Sequence, residues 1–273
     1  MAIKDILAVV DTGDRDEQFV RDALAFAEFH GASLSILVLS ALPSTDYALT
    51  IARPYVFLQE YTDAVEVKQQ RIAKLARASN VELRTISDLP ANIFTKSAVY
   101  ARYADVVLFG PAGNYDYPPI RRETIESILF ASGRPVLVLP NGHKPRALAH
   151  LAIGWNATRE ATHALRDATA FAMPGAKIDV IVLDAKPSTK GHGSEPGTDI
   201  ARHLARHGFA STVVPSSAGE LSDADALVKA ARERGAGLLS LGAYGHSRLR
   251  EIILGGVTRD LLGGAAIPLL FSH

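Results

Sequence analysis

The sequence contains no cysteine, which excludes disulfides, thiolate metal sites and cysteine nucleophiles. It has no net formal charge, with 29 basic and 29 acidic residues, so no overall field draws it to nucleic acid or an anionic membrane. No apolar run is long enough to cross a bilayer. Met1–Asp5 leads straight into an apolar run and lacks the segments of a signal peptide. A cytoplasmic location is therefore expected. No Gly-x-x-x-x-Gly-Lys-Ser/Thr loop and no Gly-x-Ser-x-Gly elbow occurs, which disfavours a P-loop NTPase and an α/β-hydrolase.

What is present is a run of short apolar segments alternating with helical patterns. Ile6–Val10, Leu34–Leu39, Val81–Ile86, 105–110 and Pro135–Leu139 read as strands. Their near-continuous hydrophobicity suits a parallel sheet covered on both faces. Helical spacing covers Phe19–Ala27, Ala64–Ala78, Ala91–Tyr103 and Arg122–Ser132. His30-Gly31 is a helix stop. The stretch 41–61, with Pro43, Pro54 and several aromatics, reads as an excursion. Tyr55, Phe57, Tyr61, Tyr100 and Tyr103 either cover a cavity or pack in a core.

Asn141–Arg146 is rich in helix and strand breakers and reads as a linker. The order then repeats. Leu151–Gly154, Ile178–Leu183, Ala210–Val214, Leu238–Leu241 and Ile267–Phe271 are strands; Ala161–Phe171, Asp199–His207, Asp223–Arg234 and a segment ending at Leu262 are helices. The polar run 186–197 is expected to be mobile. The expected fold is therefore α/β, with two tandem doubly wound domains, each an open five-stranded parallel sheet. The divisions fall at 1–140, a linker at 141–147, and 148–273.

The most informative stretch is Leu239–Leu241, then Gly242-Ala243-Tyr244-Gly245, nine residues, then Gly255-Gly256-Val257-Thr258. Glycine admits close backbone approach, and the first amides of a helix lack partners and favour anions. A strand, a glycine turn and a glycine-initiated helix thus suit phosphate; plain turn chemistry also accounts for the glycines.

The run Gly242–Arg259, with Ile153–Glu160, resembles the nucleotide loop and first turn of universal stress proteins. The whole chain resembles a tandem member, with its first half matching in plan more than in motif. The resemblance implies a Rossmann-like, adenine nucleotide alpha hydrolase-like fold. It also implies ATP or ADP, with or without Mg²⁺, in the second domain, and packing of the domains as an intramolecular pseudo-dimer. Carried over, Gly242 and Gly245 approach ribose and phosphates, and Gly255, Gly256, Val257 and Thr258 offer backbone amides. Val182 lines the adenine pocket. Asn156 stands where the family commonly has an aspartate, and Gly256 replaces a hydroxyl residue that Thr258 would compensate. Trp155 either borders the base or sits at the core edge.

The first half keeps Asp11, Gly110 and Gly113 but has Arg122-Glu123 opposite Gly255-Gly256. Glu123 at a helix start is expected to take the anion position and leave this domain without nucleotide. His203 and His207, four apart, read as surface histidines or as half of a zinc site. Arg248, Arg250 and Arg259 either steady phosphates or pair with Glu251 and Asp260; His246 is read as a hydrogen-bonder. The functional expectation is a nucleotide-dependent interaction module of the stress response, with an unidentified protein partner and a homodimer as a further form. A nucleotide-free scaffold, a weak ATPase, an enzyme on an adenylated or phosphorylated substrate, and an apolar-ligand binder in the first domain remain open.

Overall fold

The computed structural model describes residues 3–43, 54–76, 80–187, 192–244 and 256–273, with backbone only at 54–58. Gly245, Gly255, His246, Arg248, Arg250 and Glu251 therefore lie outside the described residues, as do the side chains of Tyr55 and Phe57. The chain is an α/β protein in two compact units. One comprises residues 2–136 and 141–145, the other residues 146–273 with 137–140.

In the first unit β1 (Asp5–Asp11) pairs in parallel with β2 (Ser33–Ala41) and β4 (Val106–Phe109), and β2 pairs with β3 (Val81–Asp88). A short β5 (Val136–Val138) falls where the chain passes from the residues of one unit to those of the other. Ile6–Val10 are at most 3% exposed, as an apolar run covered on both faces should be. The helices are α1 (Glu17–His30), α2 (Pro54–Leu75), α3 (Pro90–Ala101) and α4 (Pro118–Ala131). Gly31 ends α1 at φ 57°, a left-handed conformation that glycine adopts without strain.

Two helices begin earlier than the sequence pattern predicts. α2 starts at Pro54 instead of Ala64, and α4 at Pro118 instead of Arg122. Both prolines look like loop signals. Proline is nonetheless favoured in a first helical turn, where its missing N–H would have had no partner.

The second unit repeats the order. β6 (Leu148–Gly154) pairs in parallel with β7 (Ala172–Leu183) and β9 (Leu239–Gly242); β7 pairs with β8 (Ala210–Ser216), and β9 with β10 (Leu269–Ser272). Its helices are α5 (Arg159–Thr169), α6 (Thr198–Arg206), α7 (Asp223–Glu233) and α8 (Gly256–Leu261). Thr158 caps α5 by accepting from the Ala161 amide at 3.2 Å. Ser222 does the same for α7 from Asp225 at 3.1 Å. β7 begins six residues before the predicted Ile178, with a register irregularity between Leu148 and His150.

In each unit the strand order reverses beside the first strand, at β1/β4 and at β6/β9. Crevices beyond the carboxyl ends of such strands are where ligands bind in open α/β sheets.

Candidate functional site

In the second unit that end is built by the turns after β6 and β9. Trp155 follows β6 and is half-buried, its amide donating to the Ile181 carbonyl at 2.8 Å. Asn156 is exposed, and its Oδ1 accepts the Thr158 hydroxyl at 2.8 Å. Ala157 then turns back at φ 57° into α5.

Gly242, at the end of β9, has a specific steric reason. A Cβ there would lie 2.5 Å from the Ala161 nitrogen and 2.6 Å from the Glu160 carbonyl carbon. The glycine lets β9 run against the first turn of α5. The turn beyond it is tied down by Ala243, whose amide donates to Ser272 at 2.8 Å. Its carbonyl lies 3.0 Å from the His273 Nδ1. Gly256 opens α8 with no described atom within 4 Å of a notional Cβ.

The structure places three of the anticipated residues as follows. The Val182 side chain is buried under Gly197, whose notional Cβ would meet it at 3.2 Å; only the Val182 backbone remains to line a cleft. Thr258 is 4% exposed, so its hydroxyl faces the interior and does not stand in for the hydroxyl lost at Gly256. Val257 is half-buried. Beside them, Glu160 lies in the first turn of α5. Burial opposes its ionisation, but its own amide, Arg159, His273 and the Thr158 hydroxyl outweigh this and hold its pKa below the usual range.

The corresponding end of the first unit is filled by its own side chains. Asp11 is 5% exposed. One carboxylate oxygen accepts from the Gly13 amide at 3.0 Å, the other from Asp116 at 2.7 Å and Tyr117 at 3.4 Å. Those last two amides immediately precede α4. Burial holds the Asp11 carboxyl above its usual pKa, against the three amide bonds. Behind it, Lys68 Nζ donates to Asp16 at 2.5 Å and to the Gly13 carbonyl at 2.6 Å; the two charged side chains are 2% and 5% exposed. Burial also pushes Asp16 upward, against the pull of Lys68.

Arg121, 2% exposed, donates through Nε to the Gly110 carbonyl at 2.8 Å and lies over the rings of Phe109 and Tyr115. The Tyr115 hydroxyl donates to the Val9 carbonyl at 2.6 Å.

This corrects one expectation. Glu123 is not at a helix start: α4 begins at Pro118, and Glu123 lies a turn and a half inside it. The carboxylate on the amides before α4 is Asp11. Lys68 and Arg121 escaped sequence reasoning. A signal existed for Lys68, which shares one helical stripe with the buried Ile72 and Ala76 at i, i+4 and i+8.

Tyr100 and Tyr103 do line a cavity, described below, and Tyr103 is 77% exposed rather than packed in a core. The His203 and His207 rings lie 4.5 Å apart on α6. Among the described residues no three His, Asp or Glu side chains are grouped to hold a metal. No helix among them is long and apolar enough to cross a membrane.

The profile of the Universal stress protein family matches residues 146–273. The crystal structure of a universal stress protein from Archaeoglobus fulgidus DSM 4304 aligns over 97% of this chain and 95% of its own, with TM-score 0.68 and 14% identity. A candidate universal stress protein from Pseudomonas aeruginosa UCBPP-PA14 aligns over 99% of this chain and 93% of its own, with TM-score 0.54 and 16% identity. No curated protein matches the chain in sequence. Residues 146–273 are thus a Universal stress protein family domain, in a chain that shares the fold of universal stress protein structures over nearly its whole length.

Proposed function

We propose that the second unit binds ATP or ADP at the carboxyl ends of β6 and β9, and that the chain is a tandem universal stress protein whose first domain serves as a nucleotide-free structural partner. The family match over residues 146–273 carries this reading. The residues present fit such a ligand in part. Asn156 presents an exposed amide, Trp155 flanks it, and no described atom lies within 4 Å of a notional Cβ on Gly256. In this reading Gly242 and Gly245 approach ribose and phosphates, Gly255, Gly256, Val257 and Thr258 contribute backbone amides to phosphate, and the Val182 backbone borders the base. Asn156 brings no charge and Thr258 no accessible hydroxyl, so binding is weakened by roughly one charge-assisted bond, about 1.5–3 kcal/mol.

In the first domain Asp11 supplies an internal anion to the amides before α4, the role phosphate has in the second. Nucleotide ordering the 242–258 loop would create a surface for another protein to read. Mg²⁺, where present, would be held by the phosphates, because clustered carboxylates are lacking among the described residues.

A nucleotide-free scaffold is the second reading. Gly242 favours it, because helix packing alone explains that glycine. Thermal unfolding with ATP and with ADP separates the two. At a hundredfold excess over Kd a ligand adds about 2.7 kcal/mol, an upward shift of a few degrees. The shift should vanish in Gly256→Glu, which places a carboxylate in the open space where phosphate would sit. No shift with either nucleotide favours the scaffold.

A further inference from the structure

At the opposite end of the first unit, away from the crevice, the starts of β1, β2 and β3 and the end of α3 border an open cleft of about 530 Å³. That volume lies in the range of small-molecule sites. Its floor has an unusual make-up for a sheet face under a helix. Leu7, Ser35 and Glu82 lie side by side across three strands. Arg84 follows Glu82 by two residues on the same face. The wall is aromatic, from Tyr100 and Tyr103.

The polar groups form a fixed set. Arg84 Nη2 donates to Glu82 Oε2 at 2.8 Å, and the Ser35 hydroxyl donates to the same oxygen at 3.1 Å. The guanidinium carbon lies 5.2 Å from the Tyr100 ring centre. Stacking and ion pairing therefore hold the guanidinium in one orientation. The remaining N–H groups of Arg84 have no acceptor among the described residues, and its Nε is buried without one. Neither bond to Glu82 uses Oε1. The terminal N–H groups of Arg84 not used on Glu82, rather than its buried Nε, thus sit next to Glu82 Oε1 beside an exposed tyrosine ring.

The charge balance narrows the ligand. Arg84 is already neutralised by Glu82, and Asp5 adds a second carboxylate to the lining. An anion would gain no unpaired cation here and would meet two carboxylates. A neutral, flat molecule would meet no such penalty. It could lie against Tyr103, accept from Arg84 with a ring nitrogen and donate to Glu82 with an adjacent amino group.

We propose that this cavity is a binding site for a neutral heteroaromatic ring bearing a hydrogen-bond acceptor next to a donor, as in an aminopyrimidine. The site is separate from the one at the carboxyl ends of the second unit and does not depend on it.

The test uses the full chain with 4-aminopyrimidine as probe, followed by saturation-transfer NMR and titration of protein amide shifts. Saturable binding is expected, with shifts around residues 82–84 and 100–103, unchanged by saturating ADP. Arg84→Leu and Glu82→Gln should each weaken it at least tenfold. Glu82→Gln keeps the size and exposed position of the side chain, so it stays informative if Arg84→Leu folds poorly. 4-(Dimethylamino)pyrimidine, which lacks the donor, should bind at least tenfold more weakly than the probe. Absence of saturable binding overturns the proposal. So does binding that Glu82→Gln leaves unchanged, that the dimethyl analogue matches, or that ADP displaces; the last would place the probe in the nucleotide site.

Discussion

Replacing Lys68 by methionine isolates the buried ion pair at the closed end of the first unit. Lys68 and Asp16 meet at 2.5 Å with their side chains 2% and 5% exposed, and Asp16 Oδ2 already has no hydrogen-bond partner. Methionine fills much of the lysine volume but leaves the carboxylate without a counter-charge. A buried lone carboxylate takes up a proton instead of staying ionised. Protonating a carboxyl of ordinary pKa near neutral pH costs about 4 kcal/mol, at about 1.4 kcal/mol per pH unit. The hydrogen bond to Gly13 is lost as well, worth about 1 kcal/mol.

Some of this is already present in the parent, because burial raises Asp16 even beside Lys68. The expected net destabilisation is about 3–4 kcal/mol near pH 7. The sign of its pH dependence follows from linkage. The variant's folded state binds a proton that its unfolded state releases, so its deficit should grow as pH rises and shrink as pH falls toward the unfolded carboxyl pKa.

Urea unfolding followed by far-ultraviolet circular dichroism at several pH values between about 6 and 8 measures the effect. Fluorescence of Trp155, the sole tryptophan, reports the second unit as an internal control. Asp16→Leu combined with Lys68→Met should recover most of the loss and abolish the slope. A Lys68→Met deficit below about 1 kcal/mol, or one that does not change with pH, would show that Lys68 does not neutralise a buried Asp16 carboxylate.

Three other outcomes follow from packing and charge. Gly242→Ala should cost about 1–3 kcal/mol, because the new methyl meets the backbone of α5; Gly256→Ala, facing open space, should stay within about 0.5 kcal/mol of the parent in the same melt. Thr158→Ala removes the α5 cap and should cost about 1 kcal/mol. Asp179, wholly buried, is held by Arg234, by His150 at 2.8 Å and by Lys177 at 3.4 Å. Burial raises its pKa, but Arg234 and His150 outweigh that and leave it depressed. Asp179→Ala should cost about 2–3 kcal/mol, less than a wholly buried pair because Arg234 is a third exposed. That contribution is present above the ordinary carboxyl pKa and is lost as pH falls through the depressed folded value, so parent and variant melts should converge in acid.

The strands were legible because their signal is local. Ile6–Val10 and Leu34–Leu39 can hardly be anything but buried parallel strands. The doubled order was legible for the same reason. Helix starts at Pro54 and Pro118 were not, because proline marks both a loop and a first turn, and only the flanking backbone decides.

The closed end of the first unit was illegible for a different reason. Asp11 meets the amides of Asp116 and Tyr117 from more than a hundred residues away, and backbone donors leave no mark on side-chain identity. Glu123 was the sequence candidate because it stands opposite Gly256 and the helix pattern starts at Arg122. In the second unit, Gly242 was legible as a close approach, but sequence gives no sign that α5, rather than a ligand, is what approaches it.

The most direct measurement of the central claim is the stoichiometry of ADP on the full chain by equilibrium dialysis with labelled nucleotide, beside Gly256→Glu. The account predicts one equivalent per chain, lost in the variant, with the first unit empty because Asp11 occupies its amides. Two equivalents, or one that survives Gly256→Glu, would contradict the assignment of the sites, and none would contradict nucleotide binding altogether.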